Sequence, residues 1–516
     1  MNGADLLCET LLANGIDTCF ANPGTSEMHF VAALDRQPRM RCVLGLFEGV
    51  VTGAADGYAR MADRPAATLL HTGPGLANAL ANMHNARRAR TPMVNVVGDH
   101  AGYHLPYDAP LTADIESLAR PMSHWVGRAA TADDLGQATS EAIRAAITGA
   151  GGVATLILPA DAAWTDTAAA VPAPVAAPGC DGPDAAALRE AAGALAAGGA
   201  VTILVTGLAL REAQLDLLDR IAQKTGARLM AQQANGRMQR GAGRVAVDRV
   251  PYVIDQALAT FAATETVILI GAKAPVGFFA YPGKPSSMLP EHCRVIALAG
   301  PDDDLAAAVA ALADETGAHG VAAPRHAQRL VPDLPAGALT PDAIAAAIAR
   351  MMPAHAIICD EAVSSGRDFF RFTHGAEPHD FLQLTGGAIG LGIPMTTGAA
   401  VACPDRKVIG LQADGSGMYT VQGLWTQARE RLDVVTIVFA NRRYAILHGE
   451  LKNVGITRAV DNARKMLDLD DPALDWVKIA NGLGVEAARA DTIEGFCDIL
   501  RAALASKGPF LIEAVI

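Results

Sequence analysis

One stretch in the last third of the chain constrains the fold more than any other. The run Val408–Ala413 is apolar and leads directly to Asp414, and a helical pattern follows over residues 421–431. A second apolar run, residues 434–440, then leads to Asn441. Parallel strands need a crossover connection of this kind, so the stretch predicts two neighbouring parallel strands joined by a helix.

Two oxygen-bearing side chains would follow these strands. Carboxyl ends of parallel neighbours meet at one sheet edge, where α/β sheets bind ligands, so Asp414 and Asn441 should lie side by side. Such ligands suit Mg²⁺, which takes its other ligands from water, carbonyls and phosphates. Gly415 and Gly417 allow close backbone approach, and the next helix could seat a diphosphate at its amide end. Asp-Gly is also a common hairpin turn, but here a helical pattern follows it.

The chain of 516 residues exceeds one ordinary core and predicts about three domains. Apolar runs alternate with helical patterns and aromatic residues are few, which is typical of the α/β class. Linkers rich in Ala and Pro lie at 166–183 and 324–341. The predicted domains are therefore 1–165, 184–325 and 340–516.

Local patterns also predict individual elements. In the first unit we expect helices at 5–14, 49–61 and 76–89, a loop at 72–75, and strands at 17–21, 43–47, 67–71, 93–98 and 155–158. In the second unit we expect strands at 201–205, 228–231, 266–270 and 294–297, and the third should close with a strand at 510–515. No Gly-x-Gly-x-x-Gly follows a strand, so a dinucleotide is not indicated.

Charge and cysteine content narrow the class of protein. The net charge of −12 argues against a nucleic-acid partner. Eight scattered cysteines without a Cys-x-x-Cys pair predict free thiols in a reducing compartment. The N-terminus is acidic where a signal peptide would be basic, and no apolar run reaches the roughly 18 residues of a membrane span. We therefore expect a cytoplasmic protein without a membrane partner.

Five motifs occur in a characteristic order: Asn22-Pro-Gly-Thr25, Phe47-Glu48 before Ala55-Asp-Gly-Tyr-Ala-Arg60, His71 with Gly73-Pro-Gly75, Gly386-Gly-Ala-Ile-Gly-Leu-Gly-Ile-Pro394, and Asp414 to Asn441. Together they resemble the thiamine-diphosphate (ThDP) enzymes that include acetolactate synthase and benzoylformate decarboxylase. That family usually has Gly-Asp-Gly and Asn-Asn, whereas this chain has Ala413-Asp414-Gly415 and Asn441-Arg442.

The resemblance implies an architecture and an assembly. We expect three doubly wound parallel-sheet domains: pyrimidine-binding, middle and diphosphate-binding. The cofactor would lie between the first domain of one subunit and the last domain of another, so we expect a homodimer or homotetramer. The substrate would be a small 2-oxo acid or 2-hydroxy ketone.

The resemblance also assigns roles to residues. Glu48 would drive the cofactor's aminopyrimidine into its imino form; the alternative is a helix-start carboxylate stabilised by the helix dipole, and the two can coexist. The carbonyl of Gly387 would hold the amine, and Ile389 would keep the cofactor bent. The remaining cofactor residues would be Asp414, Gly415, Ser416, Asn441 and Arg443, with Asp414, Asn441 and the Arg443 carbonyl binding Mg²⁺.

Polar residues near the N-terminus would handle protons. Thr25, Ser26 and His71 stand where the family keeps polar pocket residues, and His71 is the leading general acid or base. A histidine at a strand end is also often structural, so that alternative stays open. His448 and His104 are weaker candidates.

The middle unit departs from both named enzymes. Decarboxylases of the family carry a second histidine where this chain has the apolar segment 276–281, with Phe279 in the histidine's place. Acetolactate synthases have an Arg-rich run that helps to hold FAD, whereas this chain has residues 271–276, Gly-Ala-Lys-Ala-Pro-Val. We therefore do not expect FAD as a cofactor.

The expected activity is that of a ThDP- and Mg²⁺-dependent lyase or carboligase. It would form an enamine from a 2-oxo acid and condense it with a second carbonyl, as acetolactate synthase does. The alternatives are non-oxidative decarboxylation of a bulkier or aromatic 2-oxo acid, an FAD-dependent pyruvate oxidase, and a non-catalytic ThDP-binding homologue.

Overall fold

The computed structural model describes residues 1–456 and 460–516. Their strands form three sheets, and helices pack against the sheet faces. This arrangement confirms the predicted α/β class.

The first sheet is parallel throughout. Its strands are β1 Thr18–Asn22, β2 Arg41–Leu44, β3 Ala66–Leu70, β4 Met93–Asp99, β5 Trp125–Arg128 and β6 Val153–Pro159, in the order β2-β1-β3-β4-β6-β5. Its helices are α1 Gly3–Ala13, α2 Met28–Asp35, α3 Glu48–Ala62, α4 Thr72–Ala89, α5 Ile115–Ala119, α6 Leu135–Ile147 and α7 Ala160–Trp164.

Two local predictions in this unit are wrong. The strand expected at 43–47 already ends at Leu44, so that Glu48 is the first residue of α3. The loop expected at 72–75 is the first turn of α4, because Pro74 fits a first turn, where backbone N–H groups lack intrahelical partners. Strand β5 was not predicted, since its four residues carry no marked alternation.

The second sheet is a smaller parallel sheet. Its strands are β7 Val201–Val205, β8 Arg228–Ala231, β10 Asp248–Arg249, β11 Thr266–Ile270 and β12 Arg294–Ala299, in the order β10-β8-β7-β11-β12. Its helices are α8 Ala185–Ala197, α9 Glu212–Thr225, α10 Ile254–Phe261 and α11 Leu305–Glu315. The apolar runs found in the sequence coincide with β7, β8 and β11.

The third sheet contains the stretch with which the sequence analysis began. Its strands are β9 Met238–Arg240, β13 Ile357–Glu361, β14 His379–Gln383, β15 Val408–Ala413, β16 Val434–Ala440, β17 Glu486–Ala490 and β18 Phe510–Val515, in the order β17-β18-β16-β15-β13-β14-β9. Its helices are α12 Pro341–Met351, α13 Phe369–Phe372, α14 Gly392–Ala402, α15 Asp414–Gly417, α16 Gly423–Arg429, α17 Ala445–Asn453, α18 Asp461–Leu467, α19 Trp476–Gly482 and α20 Ile493–Ala505.

Strand β9 joins a sheet of another predicted unit, which the sequence analysis did not predict. It lies within the segment assigned to the middle domain, yet it pairs antiparallel with β14 of the third sheet. The fully buried Arg240 secures it, because its guanidinium donates to Phe370 O (2.6 Å) and Thr373 Oγ1 (2.8 Å) and lies 3.6 Å from the centroid of the Phe370 ring. The domain limits at 165, 184, 325 and 340 stay predictions.

Helices α3 and α14 join the first and third sheets. They cross so closely that a Cβ at Gly398 would lie 1.7 Å from Ala54 O, and one at Gly57 would lie 2.1 Å from Met395 O. The contact buries almost the whole of α3. Small residues therefore set the distance between the two sheets that carry the predicted site residues.

Candidate functional site

Asp414 lies at the carboxyl edge of the third sheet. Strands β15 and β16 pair in parallel with Ala413 opposite Phe439, which brings the segment after each strand to one edge. The Asp414 carboxylate is 3% exposed and accepts hydrogen bonds from the backbone amides of Gly415 (2.8 Å) and Arg442 (2.6 Å). Burial raises the pKa of Asp414, and a nearby cation would offset that desolvation.

Asn441 and Arg443 flank Arg442, whose amide donates to this carboxylate, and both line a pocket of about 500 Å³. The Asn441 Oδ1 accepts from the Arg443 amide at 3.0 Å, and Ser364 and Ser365 line the same pocket. The described residues contain no group of three or more His, Cys, Asp or Glu side chains suited to a metal. A cation here would therefore use one carboxylate, one amide oxygen and backbone oxygens, a donor set that fits Mg²⁺.

Close backbone packing follows Asp414. A Cβ at Gly415 would lie 2.5 Å from the Tyr444 ring, so this position needs glycine. The Ser416 hydroxyl accepts from Gln412 Nε2 at 2.9 Å and is 3% exposed. Gly415 and Ser416 thus form a tightly packed turn directly after Asp414.

Gly387 and Ile389 belong to a loop that lines a much larger cleft of about 1830 Å³. Gly387 has a φ of +78°, and a Cβ there would lie 2.6 Å from Phe278. In residues 1–456 and 460–516 no hydrogen bond to the Gly387 carbonyl is found, whereas the carbonyls of Gly386, Ala388 and Gly390 all accept one. This carbonyl is therefore available to a ligand amine, which fits the role that the resemblance implies.

Glu48 begins α3 and is 7% exposed. Its Oε2 accepts from Asn78 Nδ2 at 2.9 Å, and a Cβ at Gly75 would lie 2.6 Å from its Oε1. Helix α4 therefore presents an amide and a glycine to this carboxylate. Glu48 is a helix-start carboxylate as the alternative interpretation held, and its geometry leaves the cofactor role open.

His71 is held by a carboxylate that the sequence analysis missed. Its Nδ1 lies 2.8 Å from Glu27 Oε2 and 3.4 Å from Ser26 Oγ, and Glu27 is fully buried. A carboxylate that accepts from Nδ1 orients the ring and leaves Nε2 for a substrate. Thr25 begins the short 3₁₀ helix that carries Ser26 and Glu27, and it is exposed.

The two weaker histidine candidates and Phe279 lie in three different places. His448 lines the smaller pocket and its Nε2 lies 2.7 Å from Asp468 Oδ1, whereas His104 is exposed on a loop near His100. Phe279 lines the large cleft, with its ring centroid 5.0 Å from that of Phe278.

Neither pocket contains all of these residues, and Asp414, Gly415 and Ser416 line neither of them. Gly387 and Ile389 line the large cleft, and Asn441 and Arg443 line the smaller pocket. Glu48, His71, Thr25 and Ser26 line neither of the two. Two groups of candidate residues therefore lie on different sheets of one protomer.

Three residues next to candidate site residues have strained backbone conformations. Thr72, Val363 and Arg442 have φ values of +50°, +48° and +56°, which are unusual outside glycine. Thr72 follows His71, Val363 precedes Ser364, and Arg442 follows Asn441. Such strain concentrates at functional sites, but no local sequence pattern reveals it.

Comparisons with known proteins identify the family of this chain. The family described as "Thiamine pyrophosphate enzyme, N-terminal TPP binding domain" matches residues 1–117, and "Thiamine pyrophosphate enzyme, C-terminal TPP binding domain" matches residues 362–514. The provisionally named acetolactate synthase large subunit IlvX of Mycobacterium tuberculosis is 51% identical, with 100% of this chain and 99% of that protein covered. Benzoylformate decarboxylase of Pseudomonas aeruginosa is 29% identical, with 98% and 97% covered.

A solved structure has the same fold. The ThDP-dependent 4-hydroxybenzoylformate decarboxylase of Rhodococcus jostii RHA1 superposes with a TM-score of 0.84 at 23% identity, with 99% of this chain and 98% of that chain covered. Among the helices of the described residues, none combines the length and apolarity that crossing a membrane requires.

Proposed function

Since the chain belongs to the family of thiamine pyrophosphate enzymes, we propose that it is a ThDP- and Mg²⁺-dependent carboligase. It takes a small 2-oxo acid, releases CO₂ and joins the remaining acyl unit to a second carbonyl compound. The full-length similarity to a protein named as an acetolactate synthase subunit supports this reaction over the others.

The preference for ligation over release of an aldehyde rests on the side chains that form the wall of the large cleft. Phe278 packs against Gly387, and Phe279 packs edge-on against Phe278. Neither ring can donate a proton to a bound intermediate, so protonation from this side is disfavoured. The bound cofactor supplies the electron sink for decarboxylation. A cleft without a proton donor at this position favours attack on a second carbonyl over release of an aldehyde.

The first sheet would supply the acid–base groups. Glu48 would hydrogen-bond the cofactor's pyrimidine ring, and Asn78 would hold that carboxylate in place. His71 would move a proton to or from the substrate through Nε2, with Glu27 holding its ring. Thr25 and Ser26 would contact the substrate from the same edge.

The third sheet would hold the cofactor. The Gly387 carbonyl would bind the aminopyrimidine, and Ile389 would support the ring system from the cleft wall. Asp414, Asn441 and the Arg443 carbonyl would bind Mg²⁺, and Gly415 and Ser416 would approach the diphosphate. The side chain of Arg443 is exposed beside the pocket and adds a positive charge near that anion.

The two groups of residues suggest active sites that are shared between two subunits. Neither Glu48 nor His71 lines the large cleft of its own chain, and the family resemblance implies a cofactor held between subunits, so we propose that a second protomer brings them to a cofactor held by the third sheet. Exposed apolar side chains accompany both groups, Met28 and Leu46 near the first and Tyr419 and Leu447 near the second. We therefore propose a homodimer, or a homotetramer built from such dimers. A cytoplasmic location and the absence of a nucleic-acid partner stay predictions.

Decarboxylation of an aromatic 2-oxo acid is the second candidate. Tyr252, Phe278 and Phe279 form an aromatic row with centroid separations of 5.4 and 5.0 Å, which would pack against a phenyl group. Benzoylformate decarboxylase is also similar over nearly the whole chain.

Product analysis separates these reactions. The purified protein with ThDP and Mg²⁺ is incubated with pyruvate and, separately, with benzoylformate, and the products are identified by mass spectrometry. We expect a 2-hydroxy ketone or 2-hydroxy-2-methyl-3-oxo acid from pyruvate. Aldehyde as the sole product would reject ligation, and no turnover of any 2-oxo acid would favour a non-catalytic homologue. Absorbance at the flavin bands would instead support the oxidase alternative.

A further inference from the structure

Glu361 is a buried carboxylate at the end of β13 that none of the roles above uses. It is 1% exposed and lines the large cleft beside the Gly387 loop. Burial raises its pKa to about 7, although four hydrogen-bond donors oppose that effect. Burying a carboxylate costs free energy unless hydrogen bonds compensate for the lost water contacts.

The carboxylate binds one side of the Gly387 loop. Oε1 accepts from the amides of Gly390 (2.7 Å) and Leu391 (3.0 Å), and Oε2 accepts from the amide of Gly392 (2.6 Å). Three successive amides that converge on one carboxylate define the backbone conformation over those residues. Hydrogen bonds to an ionised acceptor are stronger than neutral ones, so these three amides stabilise the ionised form of Glu361.

Glycine is required at two of these three positions. Gly390 has a φ of +98°, and a Cβ at Gly392 would lie 2.1 Å from Gln412 Oε1. The close approach of this backbone to Glu361 is therefore encoded by the glycines and by the acid together.

Asparagines of α4 hold the other side of the loop. Asn85 Nδ2 donates to Ala388 O at 2.7 Å, and Asn82 Nδ2 donates to Gly390 O at 3.1 Å. Both asparagines are buried. The residues between the two anchors, which include Ile389, are thus fixed from opposite sides.

Glu361 also reaches the turn after β15. Gln412 Nε2 donates to Glu361 Oε2 at 3.0 Å and to Ser416 Oγ at 2.9 Å. One carboxylate therefore connects the loop assigned to the aminopyrimidine end of the cofactor with the turn assigned to its diphosphate end.

We propose that Glu361 is a positioning residue for the cofactor, which sets the Gly387 loop and the Ser416 turn at the separation that bound ThDP requires. This inference rests on the proposed ThDP function and adds a residue to it. A purely structural carboxylate would satisfy the same amides, but its loss would change folding without changing the cofactor affinity of the folded protein.

The test measures ThDP binding to the full-length apoprotein by isothermal titration calorimetry in the presence of Mg²⁺. We expect Glu361→Gln to raise the Kd for ThDP at least tenfold, because its amide cannot accept from all three backbone N–H groups. Glu513→Gln is the matched control, since Glu513 is equally buried (1% exposed) in β18 of the same sheet and pairs with Arg489 away from the loop. Its Kd should stay within twofold of the wild-type value.

Two further variants keep the inference falsifiable if Glu361→Gln does not fold. Gln412→Leu cuts the connection to Ser416, and Glu361→Asp keeps the charge but withdraws it from the amides; both should raise the Kd severalfold while circular dichroism shows a folded protein. Wild-type affinity in either folded Glu361 variant would overturn the inference. A wild-type protein that binds no ThDP would instead overturn the proposed function.

Discussion

Pairs of side chains, more than single residues, define the candidate site. His71 depends on Glu27 for its orientation, and Glu48 depends on Asn78 and on the missing side chain of Gly75. Each pair joins residues at least 27 positions apart in the chain, as the Glu48–Gly75 contact shows. The chemistry of a residue here is therefore set by a neighbour that its own motif does not contain.

Glu48→Gln tests the proposed acid–base chemistry. Glutamine keeps the size of the side chain and its bond to Asn78 but cannot exchange a proton with the pyrimidine ring, so kcat should fall by about 10²-fold or more. The measurement is steady-state turnover of the 2-oxo acid at saturating ThDP. Glu141→Gln, an exposed change on α6, should leave kcat unaltered. Unchanged turnover in Glu48→Gln would contradict the mechanism.

Protonation of Asp360 should make the free energy of unfolding depend on pH. Burial raises its pKa from 3.8 to about 6, so between these values the folded state keeps a proton that the unfolded state loses. The contribution of Asp360 to the free energy of unfolding should therefore decrease as pH rises from about 4 to 6 and level off above that, by at most roughly 3 kcal/mol at 1.4 kcal/mol per pH unit. Urea unfolding of wild type and Asp360→Asn at several pH values measures this, because the asparagine variant should lack the term. A constant difference between the two proteins across this range would contradict it.

At the scale of elements, contacts between helices decide how the sheets are spaced. Helices α3 and α14 meet through glycines, and β9 leaves the middle segment to complete the third sheet. Both features bring together parts of the chain that lie in different predicted domains. The position of α3 matters for the proposed function, because Glu48 is its first residue.

Gly398→Ala tests the helix contact. Its new methyl group would meet the backbone of α3, so the variant should lose about 1–3 kcal/mol of stability or fail to fold. Gly193→Ala is the matched control, since Gly193 is also inside a helix but has no atom near its missing Cβ. That change should stabilise the protein by up to about 1 kcal/mol. Chemical denaturation of both variants checks the prediction, and equal effects would reject the close helix crossing.

At the scale of the whole molecule, the two residue groups belong to two different sheets, and the shared site that the family resemblance implies argues for an assembly. The first sheet carries Glu48 and His71, and the third sheet carries Gly387, Asp414 and Asn441. Residues of both groups are needed for one proposed active site, so an isolated chain should be inactive.

Complementation between inactive variants tests shared sites. Glu48→Gln and Asp414→Asn each damage one half of the site, and both should be inactive alone. If the chains are denatured together and refolded as a mixture, about a quarter of wild-type activity should return, because half of random dimers are mixed and each has one intact site. Refolded wild type serves as the control for yield. No activity in the mixture would place each site within one chain.

Predictions from the sequence agree best with the structure where a short run of residues is enough to define an element. The bounds of strands β7, β8 and β11 agree with the prediction to the residue, because each is a short, mostly apolar run between turns. The pairing of β15 with β16 followed from the same logic, and the resemblance to the family came from short motifs that the sequence displays directly.

The amino-acid sequence by itself determined the α/β class, the family and the order of the cofactor-binding segments, since these depend on residues close together along the chain. Only the tertiary structure decided that Glu27 holds His71, that Glu361 anchors the Gly387 loop and that β9 joins the third sheet. These contacts link residues that are between 29 and 143 positions apart, as for Glu361 with Gly390 and for Arg237 with Asp380 beside β9. No local pattern in the sequence predicts these contacts, because they form only when separate sheets and helices pack against one another.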